Sequence, residues 1–139
     1  MQTLETRFEE GIARYKAGDS AESLLPTFKD ICQQAPKNSA AQTCLAWLYL
    51  LADKPNAAYK AAQRAVKLAP TDPQARVNLS IAMLETGKSG VRAQVEQVGQ
   101  VLYAVDELKA EIAENLEEGL RRKPDWKSLK RIQAWLFES

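Results

Sequence analysis

The sequence predicts an all-α protein in which antiparallel helix pairs stack into a short α-solenoid. Apolar residues recur every three or four positions through most of the 139 residues, which is the period of amphipathic helices. The stretch from Ser39 to Asp72 has the pattern of one helical hairpin, 34 residues long. The flanking residues, from about 5 to 38 and from 73 onward, repeat that pattern less perfectly. Repetition at a fixed period of this length indicates a repeat architecture.

The hairpin from Ser39 to Asp72 is the most regular part of the chain. Its first half carries larger residues at helical spacing and its second half carries alanines: Leu45, Ala46 and Tyr49, then Ala58, Ala62 and Ala65. Small residues let two antiparallel helices approach closely, and Pro70 ends the second helix because proline lacks the backbone donor. This pattern resembles the tetratricopeptide repeat. The resemblance implies a stack of hairpins that binds other proteins in a concave groove.

The first hairpin covers about residues 5 to 38, and each of its two predicted helices has one apolar stripe. The inward residues are Leu4, Phe8, Ile12 and Tyr15 in the first helix, and Leu24, Phe28 and Ile31 in the second. Gly18 and Asp19 turn the chain between the helices, and Pro36 ends the second helix as Pro70 ends the next.

The third hairpin opens at Pro73, with Thr71 or Asp72 as the helix cap. Four residues continue the repeat pattern, namely Asn78, Leu79, Met83 and Gly87. After Gly90 the pattern fades. We therefore expect residues 1 to 90 to hold three hairpins, the last consisting of residues 73 to 90 plus a degenerate second helix.

Residues 91 to 139 form the predicted carboxyl-terminal cap of the same domain. A stripe with alternating steps of three and four is interrupted only by Lys109; it comprises Val91, Val95, Val98, Leu102, Val105, Ile112 and Leu116. It suits either one long helix to Arg122 or two helices that meet near Asp106. Because a repeat array must cover its terminal apolar face, we expect this stripe to fold back on the third hairpin.

Pro124 separates a last predicted helix from the rest of the cap. Asp125 is its predicted amino-terminal cap, and the helix extends to about Phe137. One side of it is apolar and carries Trp126, Leu129, Ile132 and Leu136. This helix either extends the cap or lies in the groove in place of a ligand.

The resemblance also assigns a partner-binding groove, because the first helix of each tetratricopeptide hairpin lines the concave side. Its positions in the first hairpin are Thr6, Glu9, Ala13 and Lys16. The candidate binding residues of the next two hairpins are Thr43, Trp47, Leu50, Val77, Ile81 and Leu84, with Asn78 beside them. An uncovered apolar patch of that size is uncommon on soluble monomers. Either a helical or extended apolar segment of another protein covers it, or the carboxyl-terminal helices of the chain do.

Many tetratricopeptide proteins hold acidic peptide tails with a clamp of lysine, asparagine and arginine. The matching positions in this sequence are Glu9, Ala13, Cys44, Gln74 and Asn78. A carboxylate bound there would meet Glu9 and no cation, so its charge would be buried without a counter-ion. The resemblance therefore argues against a receptor for acidic chaperone tails.

Composition points away from catalysis and from membranes. The chain has no histidine and no glycine-rich phosphate loop, so we expect no enzyme activity, no metal and no cofactor. Its net charge of +1 gives no global field that would attract nucleic acid or an anionic membrane. The longest apolar run, from Cys44 to Ala52, is about half of the length that spans a bilayer, and the first residues do not have the pattern of a basic region followed by an apolar stretch. We expect a cytoplasmic protein whose Cys32 and Cys44 are reduced core residues.

The leading hypothesis is a non-enzymatic protein-binding module, an adaptor or an assembly or secretion chaperone, that is mainly monomeric. The first alternative is a scaffold that self-associates through residues 91 to 116, with Lys109 limiting the seam to two strands. A less favoured alternative uses Arg121 to Arg131, with six cations and one acid, to bind nucleic acid or an acidic partner. Those cations also suit a helix carboxyl end, where the dipole favours positive charge.

We predict that a peptide with an acidic chaperone tail does not bind, because no clamp position keeps its cation. Isothermal calorimetry checks this, with the same peptide and an unrelated clamp-bearing tetratricopeptide domain as the positive control. Micromolar binding to this chain would contradict the prediction.

Overall fold

The computed structural model describes residues 2 to 138 and contains eight α-helices and no strand in that range. The helices are α1 (Leu4–Lys16), α2 (Ala21–Gln34), α3 (Ser39–Leu51), α4 (Pro55–Leu68), α5 (Pro73–Thr86), α6 (Val91–Ala104), α7 (Asp106–Arg122) and α8 (Lys127–Phe137). Consecutive helices pack in pairs, and α2 also packs on α3 and α4 on α5. The predicted all-α solenoid is confirmed.

Short polar side chains cap the amino-terminal ends of α1, α2, α3 and α5. Thr3, Ser20 and Asn38 each accept a hydrogen bond from a backbone N–H in the first turn of the following helix. Asp72 does the same for α5, with Gln74 N–H at 3.0 Å, so the predicted cap at Asp72 is confirmed. These side chains satisfy backbone donors that a helix cannot satisfy itself.

The pairing of α3 with α4 rests on the small residues that the sequence pattern singled out. Ala46 on α3 and Ala58, Ala62 and Ala65 on α4 are fully buried. In the first hairpin the equivalent close approach is made by Gly11, because a Cβ there would lie 2.7 Å from the Phe28 ring. Backbone and aromatic ring are thus in direct contact where α1 crosses α2.

The stripe that begins at Val91 is divided between two helices. At Val105 the backbone is extended, with φ −135° and ψ 101°, and α7 begins at the next residue. Most of the stripe is buried inside the chain, namely Val91, Val95, Val98, Leu102, Ile112 and Leu116. The reading as one long helix is therefore wrong. Self-association through residues 91 to 116 is less favoured, because most of the apolar residues of this stripe are buried within their own domain.

The last two helices have different positions on the repeat array. α7 crosses the face formed by α1, α3 and α5, with contacts from its side chains or backbone to Tyr15, Trp47 and Gln74. α8 packs on α5, α6 and α7 and buries Leu129 and Ile132 completely. α7 thus lies across the predicted groove, and α8 packs on α5 as well as on the cap helices α6 and α7.

The start of α8 differs from the sequence prediction. Its amino-terminal cap is Trp126, which makes no side-chain cap hydrogen bond, so the prediction of Asp125 as the cap is wrong. Trp126 is buried beside Trp47, with ring centroids 5.3 Å apart, and donates its indole N–H to Glu85 at 2.7 Å. Tertiary packing of the indole, rather than a local cap, therefore fixes the start of the helix.

We predict that Gly119→Ala destabilises the protein. A Cβ at this position would lie 2.8 Å from a ring carbon of Trp47 and 2.9 Å from Leu129 Cδ1, so α7 has to shift. Urea denaturation should show a loss of about 1–3 kcal/mol, the usual cost of overpacking.

Gly99→Ala is the matched control, because Gly99 lies in the middle of α6 and a Cβ there meets nothing within 4 Å. It should stabilise the protein by about 0.5–1 kcal/mol, since alanine is the better helix former. Equal effects of the two substitutions would contradict the close contact at Gly119.

Candidate functional site

The candidate groove residues divide into a covered set and an accessible set. Leu50, Val77, Ile81 and Asn78 are fully buried; α3 and α5 pack on each other, and α7 and α8 both pack on α5. Thr43 is buried, whereas Trp47 and Leu84 remain half-buried. An open apolar groove along α3 and α5 is therefore not present in this structure. The chain's own helices fill that part, which is one of the two possibilities that the sequence left open.

Asn78 is buried and belongs to a chain of hydrogen-bonded amides that connects α3, α5 and α7. Its Nδ2 donates to the Thr43 carbonyl at 3.0 Å, and its Oδ1 accepts from Gln74 Nε2 at 2.8 Å. Gln74 Oε1 in turn accepts from Asn115 Nδ2 at 3.0 Å. This chain of amides ties α3 to α5 and α5 to α7, and it satisfies the polar atoms of Asn78, which would be costly to bury unpaired.

A second polar cluster attaches α7 to α1 and α3. The Trp47 indole N–H donates to the Tyr15 hydroxyl at 2.8 Å, and that hydroxyl donates to the Glu118 carboxylate. Arg122 pairs with Glu118 at 3.0 Å and stacks on the Tyr15 ring, 3.9 Å from its centroid. Burial first, and then the Glu118 carboxylate, raise the pKa of Tyr15 well above its ordinary value. The hydroxyl thus keeps its proton and remains the donor to Glu118.

Two cations at the end of α7 bind the carboxyl ends of other helices. Arg122 donates to the Tyr15 carbonyl at 2.6 Å, near the end of α1, and to the Asp19 carbonyl at 2.9 Å, in the turn between α1 and α2. Lys123 donates to the Leu50 carbonyl at 3.0 Å, where α3 ends, and pairs with Asp53 at 2.7 Å. The Tyr15 and Leu50 carbonyls also accept the backbone N–H groups of Gly18 and Asp53. Cations are favoured there because the carboxyl end of the helix dipole is negative. These two side chains of the segment 121 to 131 are therefore occupied within the chain.

A cleft remains between α1, α3 and α7, with a cavity volume of about 470 Å³. Its apolar lining consists of Ile12, Phe28, Cys44, Trp47 and Leu48. Its polar lining consists of Tyr15, Lys16, Thr43, Gln74, Asn78, Glu111, Glu114, Asn115 and Glu118. Of the predicted groove and clamp positions, six line it: Lys16, Thr43, Cys44, Trp47, Gln74 and Asn78. The apolar floor with a charged rim suits a ligand that has both characters.

Sequence reasoning missed the side of the cleft that α7 supplies. Glu111, Glu114 and Glu118 are spaced by three and four residues, so they share one helix face. That spacing is visible in the sequence. Only the fold-back of α7 shows that this face borders the cleft.

The two cysteines are free and differ in access. Burial raises the pKa of the Cys32 thiol to about 11 and that of the Cys44 thiol to about 12. Cys32 lies in the core, whereas Cys44 lines the cleft and keeps part of its surface accessible. Cys44 is therefore a natural reporter of whether the cleft is occupied.

Solved structures with the same architecture were found by comparison of the folds. "MamA MSR-1 C2" superposes with a TM-score of 0.64 at 18% identity, over 95% of this chain and 78% of that one. A second structure of MamA gives a TM-score of 0.58 at 15% identity, over 98% and 72% of the two chains. The first TPR domain of Spaghetti (RPAP3) bound to the HSP90 peptide SRMEEVD gives 0.54 at 17%, over 96% and 92%. The chain has a tetratricopeptide-type fold.

Sequence comparison adds no relative: no protein-family model matches the chain, and no curated protein matches it. Among residues 2 to 138, no helix has both the length and the apolar character needed to cross a membrane. In the same range, no three metal-ligating side chains of histidine, cysteine, aspartate or glutamate come together.

We predict that Arg122→Met lowers the free energy of unfolding by about 1–2 kcal/mol, because the carbonyls of Tyr15 in α1 and of Asp19 in the following turn lose a charged donor in a partly buried place. Arg121→Met is the control, since Arg121 is exposed on the same helix and should change stability by less than about 0.5 kcal/mol. Urea denaturation of both variants measures the difference. Equal losses of unfolding free energy in the two variants would show that Arg122 stabilises the protein only through its charge and not through its hydrogen bonds to the carbonyls.

Proposed function

We propose that this chain is a non-catalytic protein-interaction module that holds an extended segment of another protein in the cleft between α1, α3 and α7. The observation that carries the proposal is the cleft itself. It lies on the side formed by the first helices of the hairpins, with an apolar floor that includes Ile12 and Trp47 and a polar rim. The Spaghetti (RPAP3) neighbour is bound to a peptide, which supports a peptide as the class of ligand.

An extended segment fits better than a helix because α7 already takes the place of one. A helix with its side chains is about 10–12 Å across. The remaining volume of about 470 Å³ lies in the range of about 300–1,000 Å³ that is usual for ligand pockets, enough for a few side chains. The partner therefore contributes a short linear stretch, and α7 forms one wall of its binding site.

The proposal includes the narrower roles of an adaptor or of an assembly or secretion chaperone, and a location in the cytoplasm. Both roles need a surface that holds a short segment of an unfolded or exposed partner, and the cleft offers one. Monomeric binding also fits, because the stripe from Val91 to Leu116, apart from Val105, is largely packed on its own domain. Nucleic-acid binding through residues 121 to 131 is less favoured, since Arg122 and Lys123 are held by carbonyls within the chain.

We predict that peptides selected from a random display library against the whole chain protect Cys44 from alkylation. Cys32→Ala serves as the background, so that only the thiol in the cleft reacts. Labelling is followed by mass spectrometry at a pH of about 9, because a raised pKa leaves little reactive thiolate at neutral pH. Selected peptides that bind without slowing the alkylation would contradict binding in the cleft.

A substitution in the apolar floor of the cleft gives an independent check. Ile12→Ala should weaken the selected peptides about tenfold, or about 1.4 kcal/mol, because it removes part of the apolar floor. Val66→Ala, at a half-buried position on α4 outside the cleft, should leave the affinity unchanged. Melting curves confirm that both variants are folded. Equal affinities for both variants would contradict the proposed site.

A further inference from the structure

The two long rims of the cleft have unequal charge. Glu111, Glu114 and Glu118 line the α7 side, and Lys16 is the one cation among the described lining residues. Glu118 is already paired with Arg122 at 3.0 Å. Glu111 and Glu114 take part in no ion pair within residues 2 to 138, and both are exposed at the mouth of the cleft. Two negative charges one turn apart repel each other until a cation comes between them.

The apolar floor makes these carboxylates more effective than acids on an open surface. Clefts with one sign of charge and low-dielectric walls focus the electric field, so a cation at the mouth is attracted more strongly. The acidic face also continues beyond the cleft. Glu107 lies one turn before Glu111 on α7, and Glu9 lies one turn before Ile12 on α1. An extended chain that leaves the cleft toward these ends meets further negative charge.

We propose that the occupant is an extended segment that carries a lysine or arginine next to a large apolar side chain. The apolar side chain packs on the floor beside Ile12 and Trp47, and the cation lies between Glu111 and Glu114. This inference rests on the proposed function, since it specifies the chemistry of the segment held by the same cleft. The charge complementarity is the reverse of that for an acidic tail, and it also disfavours nucleic acid in the cleft.

The test uses the peptides selected from a random display library on the full chain. We expect lysine or arginine beside an aromatic or aliphatic residue to be enriched over the unselected library. In calorimetry, the double variant Glu111→Gln/Glu114→Gln should weaken a selected peptide about fivefold to tenfold, in the range expected for two exposed ion pairs. Replacing the lysine or arginine of the peptide by glutamine should cost wild type the same factor and cost the double variant almost nothing.

Glu96→Gln/Glu117→Gln is the matched control, because it removes two exposed carboxylates that do not line the cleft. It should leave the affinity within about twofold of wild type at about 150 mM salt, where distant exposed charges are screened. Circular dichroism verifies the fold of each variant.

The outcomes separate the two proposals. Peptides that protect Cys44 and lose affinity with Ile12→Ala, yet show no basic residue and bind the glutamine double variant as well as wild type, overturn the basic partner and leave the cleft standing. Peptides that leave Cys44 unprotected overturn both. An equal loss with the control pair shows a general charge effect and also overturns the assignment to Glu111 and Glu114.

Discussion

The contact between Gly119 and Trp47 is the constraint on which the rest of the structure depends. With only a hydrogen in place of a side chain, α7 can lie directly on the indole of α3 and on Leu129 of α8. Trp47 also holds the Tyr15 hydroxyl and packs against Trp126, so one side chain joins four helices. The position of α7 covers part of the face that α3 and α5 form, and it leaves the cleft beside α1 accessible. Packing of one glycine thus decides which part of the concave side stays accessible.

The repeat region could be predicted from sequence because its determinants are local. Alanines at helical spacing, Pro70 after a helix and Asp72 before one act over a few residues, and each has the effect in the structure that its chemistry predicts. The sequence alone does not decide whether a helix break occurs near Asp106, because the determinants of that break are not local. No proline or glycine marks it, and the extended backbone at Val105 separates two helices that both pack on α5 and α8.

Only one side of the candidate site could be predicted from the sequence. Thr43 and Trp47 line the cleft as the repeat positions imply, whereas Leu50 and Ile81 are covered by helices that no repeat position describes. The opposite wall includes Glu118, which follows Tyr15 by 103 positions, and Gly119 is an unremarkable glycine among charged residues in the sequence. Its role depends on Trp47, and pairings at that separation leave no local signal.

The carbonyls at the ends of α1 and α3 receive their charged donors from Arg122 and Lys123, which follow them by up to 107 and by 73 residues. A ribosome makes the first two hairpins long before it makes these donors, and domains acquire structure from the amino terminus during synthesis. The nascent array therefore exposes the faces of α3 and α5 until α7 emerges. Contacts of such sequence separation carry a large loop-closure entropy, which favours their formation after the local hairpins. The incomplete chain therefore shows an apolar surface that the finished protein buries.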